Sequence, residues 1–156
     1  MHLSPSLQSK LDALHEYLRD LSGVQPTRFE AFERDKMLRR YAERMLQMAI
    51  EACIRIGIEV LTASGFRAPE NYRDIFRVLG EGGVLTPLLV DSMTRLVELR
   101  NLLVYEHDVL DDTMVYGALK KRVPDMAEFA RAIAAFASGE PFVPAPEYQV
   151  EADELE

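Results

Sequence analysis

Leu7, Leu11, Leu14, Leu18 and Leu21 recur in steps of four, three, four and three. That spacing lines one face of an amphipathic helix. Ser4-Pro5 supplies an N-cap and a proline at the first helical position, and Ser22-Gly23 with Pro26 ends the run. Thr27 and Glu30 then have the spacing of a capping box, and no proline interrupts the chain from there to Ser64. Phe29, Phe32, Tyr41, Met45, Met48, Ile56 and Val60 fit one face of that stretch, widened by Ala42, Ala49, Ile50, Ile54, Ile58 and Leu61. So wide an apolar surface needs several partners, which predicts one long helix as the central rod of a bundle. Gly57 within it costs about 1 kcal/mol against alanine, so it marks either close packing or a kink.

The second half repeats the grammar. Asn71 to Leu79 reads as a short helix with Tyr72, Ile75, Phe76 and Leu79 on one side, ended by Gly80, Gly82 and Gly83. Thr86-Pro87 opens another, striped by Leu89, Met93, Leu96 and Leu103 and loosening near Tyr105 to Asp108. Asp111 or Asp112 caps a helix through Arg122, and Pro124 to Ser138 gives the last, stopped by Gly139. No strand or internal repeat stands out. The expectation is an all-α, up-and-down helical bundle: a four-helix core with short extra helices over residues 1–139. Residues 140–156 carry Pro141, Pro144 and Pro146 among acids and predict a disordered or extended tail, either a solvated end or a partner-binding arm.

Charge and cysteine content narrow the class. The net charge is −8, but Glu140, Glu147, Glu151, Asp153, Glu154 and Glu156 supply six of the acids. Residues 1–139 hold 20 acids and 18 bases, a net of −2, so bulk charge gives no support for nucleic-acid binding. Arg28, Arg34, Lys36, Arg39, Arg40 and Arg44, interspersed with Glu30, Glu33, Asp35 and Glu43, form either an RNA-backbone track or a salt-bridged surface. Cys53, the single cysteine, reads as a small buried hydrophobe in a reducing compartment. Met1 to Pro5 shows no signal-peptide pattern, and no apolar run approaches the roughly 18 residues of a membrane span. These point to a soluble cytoplasmic protein.

Candidate chemistry is sparse. Glu81-Gly82-Gly83 lacks the Lys-Ser/Thr of a phosphate loop, and His2, His15 and His107 have no metal-ligand spacing. His15 belongs to the polar face of the first helix. One segment differs: Arg100 interrupts a largely apolar helix and is followed by Asn101, Tyr105 and His107. If the helix continued, seven residues would turn about 700° and place Arg100 and His107 on one face, roughly 10 Å apart along the axis. A bend after Val104 would bring them closer. An imidazole can take a proton from a ribose 2′-hydroxyl or give one to the leaving oxygen, and a guanidinium can brace the phosphate. No metal or cofactor is then needed. Asn101 can orient either group, and Asp108 can raise the pKa of His107 or tie it up. The competing reading is a buried polar network on a bundle helix.

Arg100-Asn101-Leu102-Leu103-Val104-Tyr105-Glu106-His107 resembles the Arg-Asn-x-Leu-Val-His-x-Tyr signature of the HepT-like branch of the HEPN family. Residues 40–52, 67–79, 111–116 and 124–126 resemble other parts of that family's frame, in order, over about residues 5–138. The resemblance implies a homodimeric helical bundle acting as a metal-independent endoribonuclease toxin, with Arg100, Asn101 and His107 in the site. It also implies a minimal nucleotidyltransferase antitoxin that silences the toxin by transferring AMP to the motif tyrosine. One difference separates the chain from the signature: Tyr105 stands at the family's His position and His107 at its Tyr position. The broader HEPN pattern of Arg, four to six residues, then His still accommodates Arg100 and His107. Three readings stay open: His107 is the acid/base in altered geometry, Tyr105 has become the AMP acceptor, or the chain is an inactive dimer that binds a nucleotidyltransferase. A nucleotide-binding bundle ranks last, since no adenine or phosphate pocket is legible.

Overall fold

A computed structural model describes residues 3–149; His2 and the acids Glu151, Asp153, Glu154 and Glu156 lie outside them. The described residues form seven helices and a final 3₁₀ turn: α1 (Pro5–Val24), α2 (Phe29–Arg34), α3 (Lys36–Ala63), α4 (Tyr72–Glu81), α5 (Pro87–Tyr105), α6 (Asp112–Lys121), α7 (Val123–Ser138) and Pro146–Tyr148. The all-helical expectation holds. In chain order α1, α3, α5 and α7 each pack on the next, and α7 returns to α1, which closes a four-helix core. The short helices fill its flanks: α4 lies on α3 and α5, while α2 and α6 cover α3 and touch each other.

The leucine stripe of α1 is buried as its spacing requires, with Ser4 accepting a hydrogen bond from the Leu7 amide. Phe32, Phe76 and Phe129 are fully buried, and Phe76 meets Phe129 edge-on at 5.7 Å. Each such side chain contributes about 1.5–3 kcal/mol through removal from water. Gly57 marks close packing: a Cβ there would stand 2.6 Å from Cγ2 of Ile75, so the missing methyl lets α4 settle on α3.

The single long helix predicted from Thr27 to Ser64 is instead two. Asp35 adopts extended backbone (φ −101°, ψ 95°), and its carboxylate accepts from the Leu38 amide at 3.0 Å. A carboxylate cap inside a polar run starts a new helix at little cost. The Thr27–Glu30 capping box does not form. Arg28 caps α2 through backbone alone, and the Thr27 carbonyl accepts from the Tyr116 hydroxyl at 2.6 Å. Phe29 and Phe32 stack on the Tyr116 ring, which turns α2 toward α6. Most of the predicted face of α3 is buried, including Ile54, Ile56 and Leu61, with Leu46 and Cys53 added to it. Ala42, Leu46, Ala49, Ile50, Cys53 and Val60 are buried, whereas Tyr41 and Ile58 are exposed.

Residues 140–149 form no helix apart from the 3₁₀ turn at Pro146–Tyr148. They fold back along α7: the Ala145 amide donates to Glu128 Oε2 at 2.8 Å, and the Tyr148 hydroxyl donates to Asp125 Oδ1 at 2.5 Å. Asp125 and Glu128 are buried carboxylates, so these contacts satisfy acceptors that would otherwise be costly. Burial and the Asp125 carboxylate together push the Tyr148 hydroxyl well above the usual phenol range.

Candidate active site

The unusual segment of α5 faces a polar stripe on α3. Glu43, Gln47 and Glu51 recur every four residues and so share one side of that helix. Glu51 Oε1 accepts from Arg100 Nε at 3.3 Å and from Gln47 Nε2 at 3.2 Å. Arg100 Nη1 reaches Asn101 Oδ1 at 3.3 Å. Two aromatic rings flank the same guanidinium, Tyr72 at 5.4 Å and Tyr105 at 5.6 Å from ring centre to Cζ. The Arg100 side chain is only 13% exposed, so its charge is held in a partly desolvated seat.

α5 ends at Tyr105, as the loosening of its pattern predicts. The Glu106 amide still donates to the Leu102 carbonyl, and the Val109 amide closes a turn onto Glu106. This turn carries His107 back to α3, where Nε2 lies 3.4 Å from Glu43 Oε2. Glu43 is buried and also receives two hydrogen bonds from Arg40 Nη1, at 3.2 and 2.9 Å. The histidine itself is half exposed. Arg100 and His107 are thus anchored by carboxylates eight residues apart on α3, about 12 Å along its axis. They share a surface but make no hydrogen bond with each other.

The remaining sequence candidates fall as follows. Tyr105 is 72% exposed beside Arg100. Asp108 is exposed, and the imidazole's carboxylate partner is Glu43. His15 is exposed and Cys53 is buried, with burial pushing its thiol well up. The basic track is broken by the α2–α3 boundary. Arg40 is tied to Glu43 and Arg39 to Asp112, while Arg28, Arg34, Lys36 and Arg44 are exposed. A cleft of about 300 Å³ between α5 and α6, lined by Leu99, Leu102, Met114 and Gly117 among others, contains neither Arg100 nor His107. Among the described residues no three His, Cys, Asp or Glu side chains converge as metal ligands, and no helix is long and apolar enough to cross a membrane.

Sequence reasoning missed Glu43, Glu51 and Tyr72. The two acids were legible as polar interruptions at helical spacing in an apolar stretch. Tyr72 counted as part of the apolar side of α4, yet it is 46% exposed. Its helix is firmly braced: Arg67 donates two hydrogen bonds to Asp74, at 2.8 and 2.9 Å, and two to Glu81, both at 2.9 Å. The guanidinium holds the Asp74 carboxyl down at about 2 and depresses Glu81 in the same direction.

A family model described as ribonuclease HepT-like matches residues 14–133. The chain is 28% identical over 104 residues to the mRNA nuclease HepT of Shewanella oneidensis, covering 67% of this chain and 78% of that protein. It is 28% identical over 134 residues to the tRNA nuclease HepT of Aphanizomenon flos-aquae, covering 81% and 86%. The fold matches that of the tri-AMPylated Shewanella oneidensis HEPN toxin in complex with MNT antitoxin, with a TM-score of 0.79 at 23% identity over 85% of this chain and 98% of that one. A toxin–antitoxin structure with AMP-PNP gives a TM-score of 0.77 at 24% identity, over 83% and 97%.

Proposed function

The chain belongs to the ribonuclease HepT-like family, and from that premise we propose that it is a metal-independent endoribonuclease toxin acting through Arg100 and His107. The observation that carries this reading is the pairing of both groups with α3 carboxylates on one surface, Arg100 with Glu51 and His107 with Glu43. Glu43 occupies Nε2 of the imidazole and fixes its direction, which leaves Nδ1 for RNA. That nitrogen takes the 2′-hydroxyl proton as the 2′-oxygen attacks phosphorus. The bond from phosphorus to the 5′-oxygen breaks, a 2′,3′-cyclic phosphate forms, the departing 5′-oxygen takes a proton from water, and the imidazole then returns its proton to solvent. Arg100 offsets the charge that gathers on the non-bridging oxygens, and Asn101 steadies the guanidinium.

The partner in this reading is a minimal nucleotidyltransferase antitoxin. The Tyr105 hydroxyl attacks the α-phosphate of ATP, a phosphodiester to AMP forms, and pyrophosphate leaves. An AMP group there puts a phosphate beside Arg100 and occupies the place of the RNA phosphate. The active form is a homodimer. Tyr105 and Val109, both exposed and each two residues from His107 in the chain, support a covered face there.

A second reading is a catalytically inactive dimer that binds the nucleotidyltransferase. The observation in its favour is the engagement of Arg100 by Glu51, Asn101 and two rings, with His107 anchored about two turns away along α3. The deciding experiment is RNA cleavage in EDTA by protein confirmed free of AMP by mass. Cleavage that falls by about 10²–10⁴ in His107→Ala supports the acid/base role. No cleavage by wild type leaves the inactive partner as the function.

A further inference from the structure

Tyr72 stands apart from the buried side of its helix. Its helix buries Ile75, Phe76 and Leu79 on one side, yet Tyr72 projects from the first turn and stays 46% exposed. The turn is rigid, because the Asn71 side chain caps the Asp74 amide at 2.8 Å and Arg67 clamps Asp74 and Glu81. The guanidinium of Arg100 lies against the ring at 5.4 Å. A phosphate held by Arg100 therefore has an aromatic surface fixed within one nucleotide's length of it.

An aromatic ring beside a phosphate-binding arginine has the chemistry that takes up an unpaired nucleotide: the charge holds the phosphate and the ring stacks the base. Paired bases are already stacked on their neighbours and present no face to such a ring. We propose that Tyr72 is a base-stacking positioning residue that makes this site select RNA unpaired at the cleaved phosphate. The proposal rests on the ribonuclease reading and adds the substrate class to it. Tyr105 cannot fill the same role once its hydroxyl carries AMP, whereas Tyr72 sits on a separate helix.

The test uses the full chain and a non-cleavable 2′-O-methyl single-stranded RNA, with cleavage of the unmodified strand run in parallel. Tyr72→Phe should bind as wild type does. Tyr72→Leu, which keeps apolar cover over Arg100, should lose about 5- to 100-fold in affinity, the range expected for one base–aromatic stack. The chain has no tryptophan, so Tyr72→Trp introduces a lone reporter. Its emission should be quenched by the single strand and not by an abasic strand of equal length. Tyr72→Leu binding as tightly as wild type, or equal quenching by the abasic strand, overturns the proposal while leaving cleavage intact. Wild type that neither binds nor cleaves RNA overturns the ribonuclease reading and this inference together.

Discussion

Nε2 of His107 lies 3.4 Å from a carboxylate oxygen of Glu43, a residue from another helix that is 8% exposed and braced by Arg40. A buried acid held on one side by arginine and turned on the other toward a half-exposed imidazole can orient that ring. The same helix offers Glu51 to Arg100 two turns further on. One stripe of α3 therefore positions both groups that the α5 segment contributes.

Replacing Glu43 by glutamine should slow RNA cleavage without unfolding the chain. A hydrogen bond to a charged group is worth about 1.5–3 kcal/mol, so the rate should fall by about 10- to 100-fold. The fall should lie in kcat with KM little changed. Equal cleavage rates for Glu43→Gln and wild type would remove Glu43 from the site.

Arg100→Lys should fail almost as badly as Arg100→Ala. The guanidinium meets Glu51 and Asn101 through different nitrogens while both ring faces lie against it. An ammonium is a point charge that cannot reproduce that planar arrangement. Single-turnover cleavage by the two variants should therefore agree within about tenfold, the step set by roughly 1.4 kcal/mol. Lysine restoring most of the activity would mean that charge alone is what the site needs.

Acid should loosen the brace beneath Tyr72. Arg67 depresses Asp74 from 3.8 to about 2, so folding favours the ionised carboxylate. The stabilisation is fully present above about pH 4 and is lost as pH falls toward 2. Glu81 contributes with the same sign. Urea unfolding as a function of pH should show this loss in wild type and a flatter profile in Asp74→Asn over that window. Parallel profiles for the two proteins would show that the ion pair carries no pH dependence.

Gly57→Ala should destabilise the chain although alanine is the better helix former. The new methyl would meet Cγ2 of Ile75 at 2.6 Å. Overpacking of that kind costs about 1–3 kcal/mol, against about 1 kcal/mol gained in propensity. Ile75→Ala in the same chain should cost less than the two single changes added, because the clash is then gone. Strict additivity in thermal or urea unfolding would separate the two positions.

The helix inventory was legible because caps and stripes are local. Ser4, Asn71, Thr86 and Asp111 start helices α1, α4, α5 and α6, each where its side chain can accept the amide three residues on. Arg100, Asn101, Tyr105 and His107 stood out because polar residues cluster at the end of an apolar helix. What sequence did not reveal is non-local. The break at Asp35 depends on Phe29 and Phe32 finding Tyr116 some 85 residues later in the chain. Glu43 and Glu51 became site residues only when folding set α3 against α5. Tyr148 gave no sign of its acceptor, since Asp125 sat within a helical pattern that offered it to solvent as readily as to the core.

The return of residues 140–149 along α7 gives the last prediction. Tyr148 donates to Asp125, which is buried and also held by Arg122 at 3.0 Å. Tyr148→Phe removes the donor but keeps the ring, at a cost of about 1–3 kcal/mol for a charged acceptor left short of a partner. Because the Ala145 amide and the Phe142–Arg131 contact hold the same strap, the segment should loosen as a unit. Chymotrypsin should then cut at Phe142 faster in Tyr148→Phe than in wild type, with the helical core left whole in both. RNA cleavage should stay unchanged, since the strap touches neither Arg100 nor His107. Identical digestion of the two proteins would show that the Tyr148–Asp125 bond does not hold the strap.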